Sequence, residues 1–355
     1  MGEIDNIGSG LSRVLTRRQW LMGAAAVGGG AVLGGGLLEA CATQASSIGS
    51  TKLDEVTFAV GADPGYFHYI VAIKKQLLKP YGINGTSSFF STGSDALDSV
   101  LTGTSDVGGG GELSSLVRRL KGGKIYTVGR GAHSGKHLGI VVHANVKTPS
   151  DLEGKKIGLQ FGTSAQNYIQ LYQQEYALNA SKMQIINVDA ASQAAALSRG
   201  DIDVSVIWEP WRDKMLQIVP GTHVLALSGD NGLYPVNIDM YFGQRLINNQ
   251  DLGARALKGI IAGAKWISDP ANIAEASAIT SAAIKVDAAT AKSYIQKIWT
   301  YNVEWPGDMQ SMFDVAVTFD KTLKDKSLDQ VTNWNTFYAD FLRPDELKKA
   351  APYLF

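Results

Sequence analysis

Short apolar runs alternate with amphipathic segments from residue 54 onward, and this pattern predicts strands separated by helices. In the first part of the chain the predicted strands are residues 56–60, 87–90, 105–108, 125–129 and 138–143, and the predicted helices are 69–81, 95–101 and 113–121. Strands separated by helices favour a parallel, doubly wound sheet. The pattern therefore predicts a first α/β lobe.

A break at residues 148–152 starts a second run of the same kind. Its predicted strands are 156–159, 184–188, 204–208 and 224–227, and its predicted helices are 165–176 and 192–198. Residues 237–243 form a strand that is expected to return to the first lobe. Helices are predicted at 252–267, 271–281, 288–299, 309–324 and 330–341.

Two α/β lobes joined by two extended crossings, with a C-terminal helical cap, describe a clamp that closes on a ligand by hinge motion. The expected domains are lobe I, formed by residues 54–143 together with the helical region 244–355, and lobe II, formed by 144–243.

The charges of the chain are balanced, with 33 Lys and Arg against 33 Asp and Glu in 355 residues. Proteins that bind nucleic acid or anionic lipid through charge need a basic excess or patch, so neither partner is expected. A single cysteine excludes an internal disulfide and a cysteine-based metal cluster. The ligand is therefore expected to be bound through shape and local dipoles.

Residues 1–40 are typical of an export signal. Arg17 and Arg18 precede an uncharged run over residues 21–38, which resembles a twin-arginine signal, and Leu38-Glu39-Ala40-Cys41 resembles a bacterial lipobox. We expect residues 1–40 to be a signal peptide, Cys41 to carry a lipid, and residues 41–53 to form a tether. The protein is then anchored on the outer side of the cytoplasmic membrane, or is periplasmic.

A transmembrane anchor is the alternative, because the uncharged run is 18 residues long and close to the minimum for a span. Seven of these 18 residues are glycine, which weakens both the helix and its preference for the membrane.

Small and polar residues occur at three predicted strand-to-helix junctions. A helix N-terminus has unpaired N–H groups and a positive dipole, so it favours an anion. The candidate ligand-binding residues at these junctions are Ser94, Asp95, Gly111, Glu112, Thr163 and Ser164. The alternative is that the hydroxyl side chains only cap their helices.

Aromatic residues supply candidate walls for an organic ligand. Tyr66 and Phe67 follow the first strand, and Trp208 and Glu209 end a strand of the second lobe. Core packing is the alternative for each ring. His133 and His137 are four residues apart, but Ser134 and Gly135 indicate a loop and no third ligand is near, so we expect neither a metal nor another cofactor.

With these junctions identified, the chain resembles the nitrate, sulfonate and taurine family of ABC-importer solute-binding proteins, relatives of the thiamine-precursor binding proteins. The matching motifs are residues 93–98 with Gly103, residues 106–108, 150–158, 161–165, 199–203 and 208–211. The resemblance implies a periplasmic-binding-protein type II fold. It also implies a permease as partner, and an acid group bound by Ser94, Gly111, Thr163, Ser164 and their neighbours.

An alkanesulfonate or taurine is the ligand we expect, and the protein is expected to be a monomer. Asp95, Glu112 and Glu209 are acidic, and they would suit a zwitterion or a heterocycle such as a thiamine-precursor pyrimidine. An enzyme of the desulfinase type is disfavoured, because it needs a cysteine in the cleft and Cys41 precedes the α/β region.

We predict that Cys41→Ser abolishes incorporation of a labelled fatty acid into the exported protein, because the thiol is the only site to which the lipid can be attached. Metabolic labelling followed by immunoprecipitation measures this. Persistent labelling of the variant would exclude the lipobox interpretation.

Overall fold

The computed structural model describes residues 52–322 and 326–354. The predicted signal peptide, the lipid on Cys41 and nearly all of the tether lie outside these residues and stay predictions. In the part of the chain that the structure describes, no helix has both the length and the apolar character needed to cross a membrane.

The first sheet begins with four strands: β1 (Asp54–Gly61), β2 (Ile83–Phe90), β3 (Val107–Gly110) and β4 (Ile125–Ser134). β1 pairs in parallel with β2 and with β3, as the alternation of strands and helices predicts. Both faces of β1 are covered, since Val56, Phe58, Ala59 and Val60 are completely buried. A nearly continuous apolar run is typical of such a central parallel strand.

The second sheet contains the next five strands: β5 (Leu138–His143), β6 (Lys156–Leu159), β7 (Gln184–Asn187), β8 (Val204–Trp208) and β9 (Thr222–Leu227). Their spatial order is β7-β6-β8-β5-β9. The prediction that residues 138–143 complete the first lobe is wrong, because β5 pairs antiparallel with β8 and β9. Only three residues separate β4 from β5, and so short a link resembles a turn within one sheet although it crosses to the other.

The last strand, β10 (Val236–Gly243), returns to the first sheet as its sequence predicts. It lies antiparallel between β3 and β4, giving the order β2-β1-β3-β10-β4. Each sheet is therefore mixed and not wholly parallel. The expected bounds of lobe II, 144–243, include this strand of the first sheet and omit β5 of the second.

The two crossings between the sheets run side by side. They are residues 135–137 and 228–235, and the Gly229 N–H donates a 2.8 Å hydrogen bond to the Gly135 carbonyl oxygen. A Cβ atom on Gly229 would collide with the Gly135 backbone, so this approach requires glycine. The paired crossings are the position at which a hinge between the lobes is expected.

Six helices lie within the α/β region: α1 (Phe67–Lys74), α2 (Gly93–Leu101), α3 (Glu112–Leu120), α4 (Ser164–Glu175), α5 (Ala190–Arg199) and α6 (Trp211–Ile218). The helix predicted over 69–81 ends early. Gln76 adopts a positive φ of 56°, and the turn that follows places Leu78 in the core. Burial of Leu78 therefore outweighs continuation of the helix.

In the described residues after β10 there are seven α-helices: α7 (Gln244–Asn248), α8 (Gln250–Ser268), α9 (Ile273–Ile284), α10 (Ala288–Ser293), α11 (Met309–Thr322), α12 (Trp334–Phe341) and α13 (Pro344–Ala350). α13 was not predicted, because it is short and contains four charged residues between Pro344 and Ala350. Its one large apolar side chain, Leu347, is fully buried against the rest of the protein.

Candidate ligand-binding cleft

A cavity lies where the carboxyl ends of β1, β2, β3, β6 and β8 approach one another from the two sheets. Open α/β sheets bind ligands at this edge. The cavity is lined by Asp63, Tyr66, Thr92, Gly93, Ser94, Gly110, Gly111, Ser114, His137, Leu138, Thr163, Ser164, Trp208, Val236, Asn237 and Ile238. Its volume is about 50 Å³ when counted as the space that the centre of a water molecule can occupy. One water needs roughly 10–15 Å³ on the same scale. Only a compact ligand fits.

Three helices begin at the cavity, two from the first lobe and one from the second. Thr92 caps α2, and its hydroxyl oxygen accepts a hydrogen bond from the Asp95 N–H at 3.1 Å. Gly111 before α3 and Thr163 before α4 make no side-chain capping bond. The first N–H groups of α3 and α4 thus lack a capping side chain beside a closed cavity, and their dipoles favour an anion there.

Six of the ten predicted ligand-binding residues line this cavity: Tyr66, Ser94, Gly111, Thr163, Ser164 and Trp208. Tyr66 donates a 2.7 Å hydrogen bond to the Gly109 carbonyl oxygen, which fixes its ring as one wall. Burial raises the pKa of the Tyr66 hydroxyl well above its ordinary value, so it stays a neutral donor. Trp208 is 8% exposed and closes the side that the second lobe provides.

The run of glycines from Gly108 to Gly111 makes room for this wall. A Cβ atom on Gly109 would lie 2.8 Å from the Tyr66 ring, and one on Gly93 would collide with the Tyr66 hydroxyl. On Gly111 a Cβ atom would collide with the hydroxyl of Ser164 from the other lobe. Glycine at these positions therefore allows both the aromatic wall and the closed lobes.

Phe67, Asp95 and Glu209 do not line the cavity. Phe67 is completely buried and its ring is stacked on that of Tyr301. The carboxyl group of Asp95 accepts a hydrogen bond from the Thr92 hydroxyl at 2.9 Å, so it belongs to the start of α2. Glu209 is paired with Arg212 in the protein interior. Each of the three is adjacent in sequence to a lining residue, but its side chain makes its contacts away from the cavity.

Glu112 does not line the cavity either, and it joins the parts of the cleft instead. Its Oε1 atom accepts hydrogen bonds from Asn167 Nδ2 at 2.8 Å and from the Tyr234 hydroxyl. Asn167 belongs to α4 of the second lobe and Tyr234 to the second crossing. Close by, Ser114 of α3 donates to the Gly162 carbonyl oxygen at 2.8 Å. These bonds hold the two lobes closed.

Burial determines the charge of Glu112. It raises the pKa of the carboxyl group above its ordinary value, and the hydrogen bonds from Tyr234 and Asn167 oppose this only in part. The other titratable groups that face it, Asp239 and Tyr241 of β10, also have raised pKa values through burial. Closing the cleft consequently shifts Glu112 toward its protonated form relative to an exposed glutamate.

Asp63, His137 and Asn237 are among the lining residues that were not predicted to bind a ligand. Asp63 lies in the aromatic segment that follows β1, in which only Tyr66 and Phe67 were candidate ligand-binding residues. His137 had been weighed as a metal ligand, but its Nε2 atom lies 3.1 Å from Asp63 Oδ2. In the described residues, no group of three His, Cys, Asp or Glu side chains is placed to hold a metal ion.

Two α/β lobes, a pair of adjacent crossings and a cavity at the strand carboxyl ends define the type II periplasmic-binding-protein fold. The periplasmic aliphatic sulphonate-binding protein of Escherichia coli has this fold. Its structure matches with a TM-score of 0.63 at 19% identity, over 76% of this chain and 87% of that one. The periplasmic nitrate-binding protein of Synechocystis PCC 6803 matches with a TM-score of 0.68 at 14% identity, over 85% and 89%.

At the level of sequence, residues 63–229 match the model of the family described as NMT1/THI5 like. A putative binding protein of Brucella abortus (strain 2308) is 26% identical over 224 residues, which is 62% of this chain and 68% of the relative. The matched family segment runs from Asp63 of the cavity to Gly229 of the second crossing. It thus contains all five strands of the second sheet and most of the cavity wall, and it ends before β10.

We predict that Glu112→Gln changes how stability depends on pH. Below the ordinary value of 4.5 the carboxyl group is protonated in the folded and the unfolded chain alike. Above it the unfolded chain ionises while folded Glu112 resists, so the wild type loses stability as pH rises through the folded pKa. Relative to the variant, the loss is about 1.4 kcal/mol for each pH unit between the two pKa values.

Chemical unfolding of both proteins between pH 4 and 8 measures this difference. Glu175→Gln is the matched control, because Glu175 is exposed on α4 and its variant should follow the wild type. A constant difference between wild type and Glu112→Gln across the range would contradict a raised pKa of Glu112.

Proposed function

We propose that this protein is an extracytoplasmic solute-binding lipoprotein of an ABC importer. It captures a small organic acid, an alkanesulfonate or a taurine-like compound, in the cleft between its lobes and delivers it to a membrane permease. The observation that carries this proposal is the meeting of three helix N-termini from two lobes at one closed cavity with aromatic walls. The sulphonate-binding and nitrate-binding names of the structural relatives support the same class.

Hydroxyl groups give the cavity the donors that a sulfonate needs. The hydroxyl groups of Ser94 and Ser164 line it together with the N–H groups that begin α3 and α4. The hydroxyl groups of Ser114 and Thr163 also lie there, but they donate to the carbonyl oxygens of Gly162 and Gln160. A sulfonate has three oxygen atoms and accepts hydrogen bonds from several directions, whereas its organic chain packs on Tyr66 and Trp208. The two kinds of wall thus match the two ends of a small sulfonate.

A thiamine-precursor pyrimidine or another heterocycle is the second candidate. Asp63 and Asn237 supply the acceptors that ring N–H groups need, and the aromatic walls suit a flat ring. The limited volume favours the smaller sulfonate. An enzyme on the same fold is disfavoured, because a desulfinase-type reaction needs a cysteine in the cleft and the only cysteine of the chain is Cys41.

Thermal unfolding with a panel of ligands tests the proposal. A ligand present at 100 times its dissociation constant stabilises the folded state by about 2.7 kcal/mol. We expect taurine or a short alkanesulfonate to raise the melting temperature of residues 52–355. A shift with a pyrimidine and none with any sulfonate would reject the sulfonate in favour of the heterocycle.

We predict that Trp208→Ala weakens binding of that ligand by ~1–3 kcal/mol, because the ring loses its contact with the ligand's organic part. Titration calorimetry measures the change. Trp211→Ala is the control, since Trp211 is only three residues away and half-buried but does not line the cavity. Equal affinities of wild type and Trp208→Ala would assign Trp208 to core packing alone.

A further inference from the structure

The side chains that line the cavity include an acidic group without a basic side chain to balance it. Among the described residues of the lining, Asp63 is the one carboxylate and none is lysine or arginine. Asp63 is 7% exposed, so its charge is largely removed from water. A buried carboxylate needs donors or a cation to offset the lost hydration.

Asp63 receives only part of this compensation from the protein. Its Oδ1 atom accepts a 2.7 Å hydrogen bond from the Gly65 N–H, and its Oδ2 atom is 3.1 Å from His137 Nε2. His137 is 3% exposed, and its Nδ1 atom is buried without a hydrogen-bond partner in the described structure. The protein thus offers the Asp63 carboxylate one backbone N–H group and one ring nitrogen.

Arginines near the cavity do not supply the missing cation. Three of them donate hydrogen bonds to atoms of lining residues, and each is already paired with a carboxylate outside the lining. The pairs are Arg118 with Asp98, Arg130 with Glu304, and Arg212 with Glu209. The negative charge of Asp63 is left for the ligand to neutralise.

The rest of the cavity wall favours a negatively charged group, whereas Asp63 favours a positively charged one. Asp63 reaches toward His137 in the first crossing, whereas α3 and α4 begin where Gly111 meets Ser164. The helix dipoles there favour an acid group. A plain sulfonate would satisfy that part but would leave a second negative charge enclosed with Asp63.

Resting on the sulfonate-binding function proposed above, we propose that Asp63 binds a cationic amino group of the ligand. The cavity then selects a zwitterion, an ω-amino sulfonate such as taurine, over sulfonates that carry no amine. Asp63 is in this view the residue that determines specificity, and the helix N-termini bind the acid group that all sulfonates share.

Calorimetric titration of the wild-type protein with four compounds tests this selection. Taurine, isethionate and ethanesulfonate share one acid group and differ in having an amine, a hydroxyl or neither, and β-alanine keeps the amine with a carboxylate. We expect taurine to bind at least about tenfold more tightly than ethanesulfonate, which corresponds to about 1.4 kcal/mol. Isethionate should bind with an affinity close to that of ethanesulfonate, because its hydroxyl group carries no charge.

Asp63→Asn should reduce the preference for taurine over ethanesulfonate to within about threefold while ethanesulfonate still binds. Asp345→Asn, which changes an exposed aspartate at the start of α13, should keep the wild-type preference. Near-UV circular dichroism verifies that each variant is folded. If Asp63→Asn fails to fold, the wild-type titrations alone test whether the cavity prefers a sulfonate that carries an amine.

Equal binding of all three sulfonates by the wild type would overturn the role of Asp63 and leave the sulfonate-binding function standing. Binding of β-alanine without any sulfonate would support Asp63 as the amine site and reject the sulfonate. No binding of either amine compound would overturn the inference.

Discussion

Closure of the cleft depends on the buried hydrogen bonds that Glu112 accepts from Asn167 and Tyr234. These three residues belong to the first lobe, the second lobe and the second crossing, so one carboxyl group joins the parts that a hinge would separate. The bond from Ser114 to Gly162 lies within the same turn of α3. These bonds lie beside the cavity and help to enclose it.

The contact between the two lobes at Glu112 also determines where a negative charge is needed. Closing the lobes brings the positive N-termini of α3 and α4 together, and like charges at close range repel. Burial raises the pKa of Glu112, so this acid at the start of α3 is shifted toward its neutral form and offsets the dipoles less than an exposed glutamate would. An anionic group between the two helix ends removes the repulsion. Ligand charge and closure are thus physically linked.

Much of this arrangement could be predicted from local sequence, because the strand-to-helix junctions fix where helices begin. That rule located Ser94, Gly111, Thr163 and Ser164 correctly beside the cavity. It failed for Glu112, whose side-chain direction depends on Asn167, 55 residues away. Asp63 was missed for the same reason, since its partner His137 comes from the first crossing. The place of β5 escaped prediction because a three-residue link does not reveal which sheet it enters.

In the function we propose, this division of the wall favours release as well as capture. The acid group is bound by donors from both lobes, so opening the hinge withdraws the α4 donors together with the Trp208 wall. Asp63 and the start of α2 stay with the first lobe. An open protein would therefore hold the ligand by half of its contacts, with the enclosed cavity lost and water free to solvate both charges. Such a cleft binds tightly only when closed, as delivery to a permease requires.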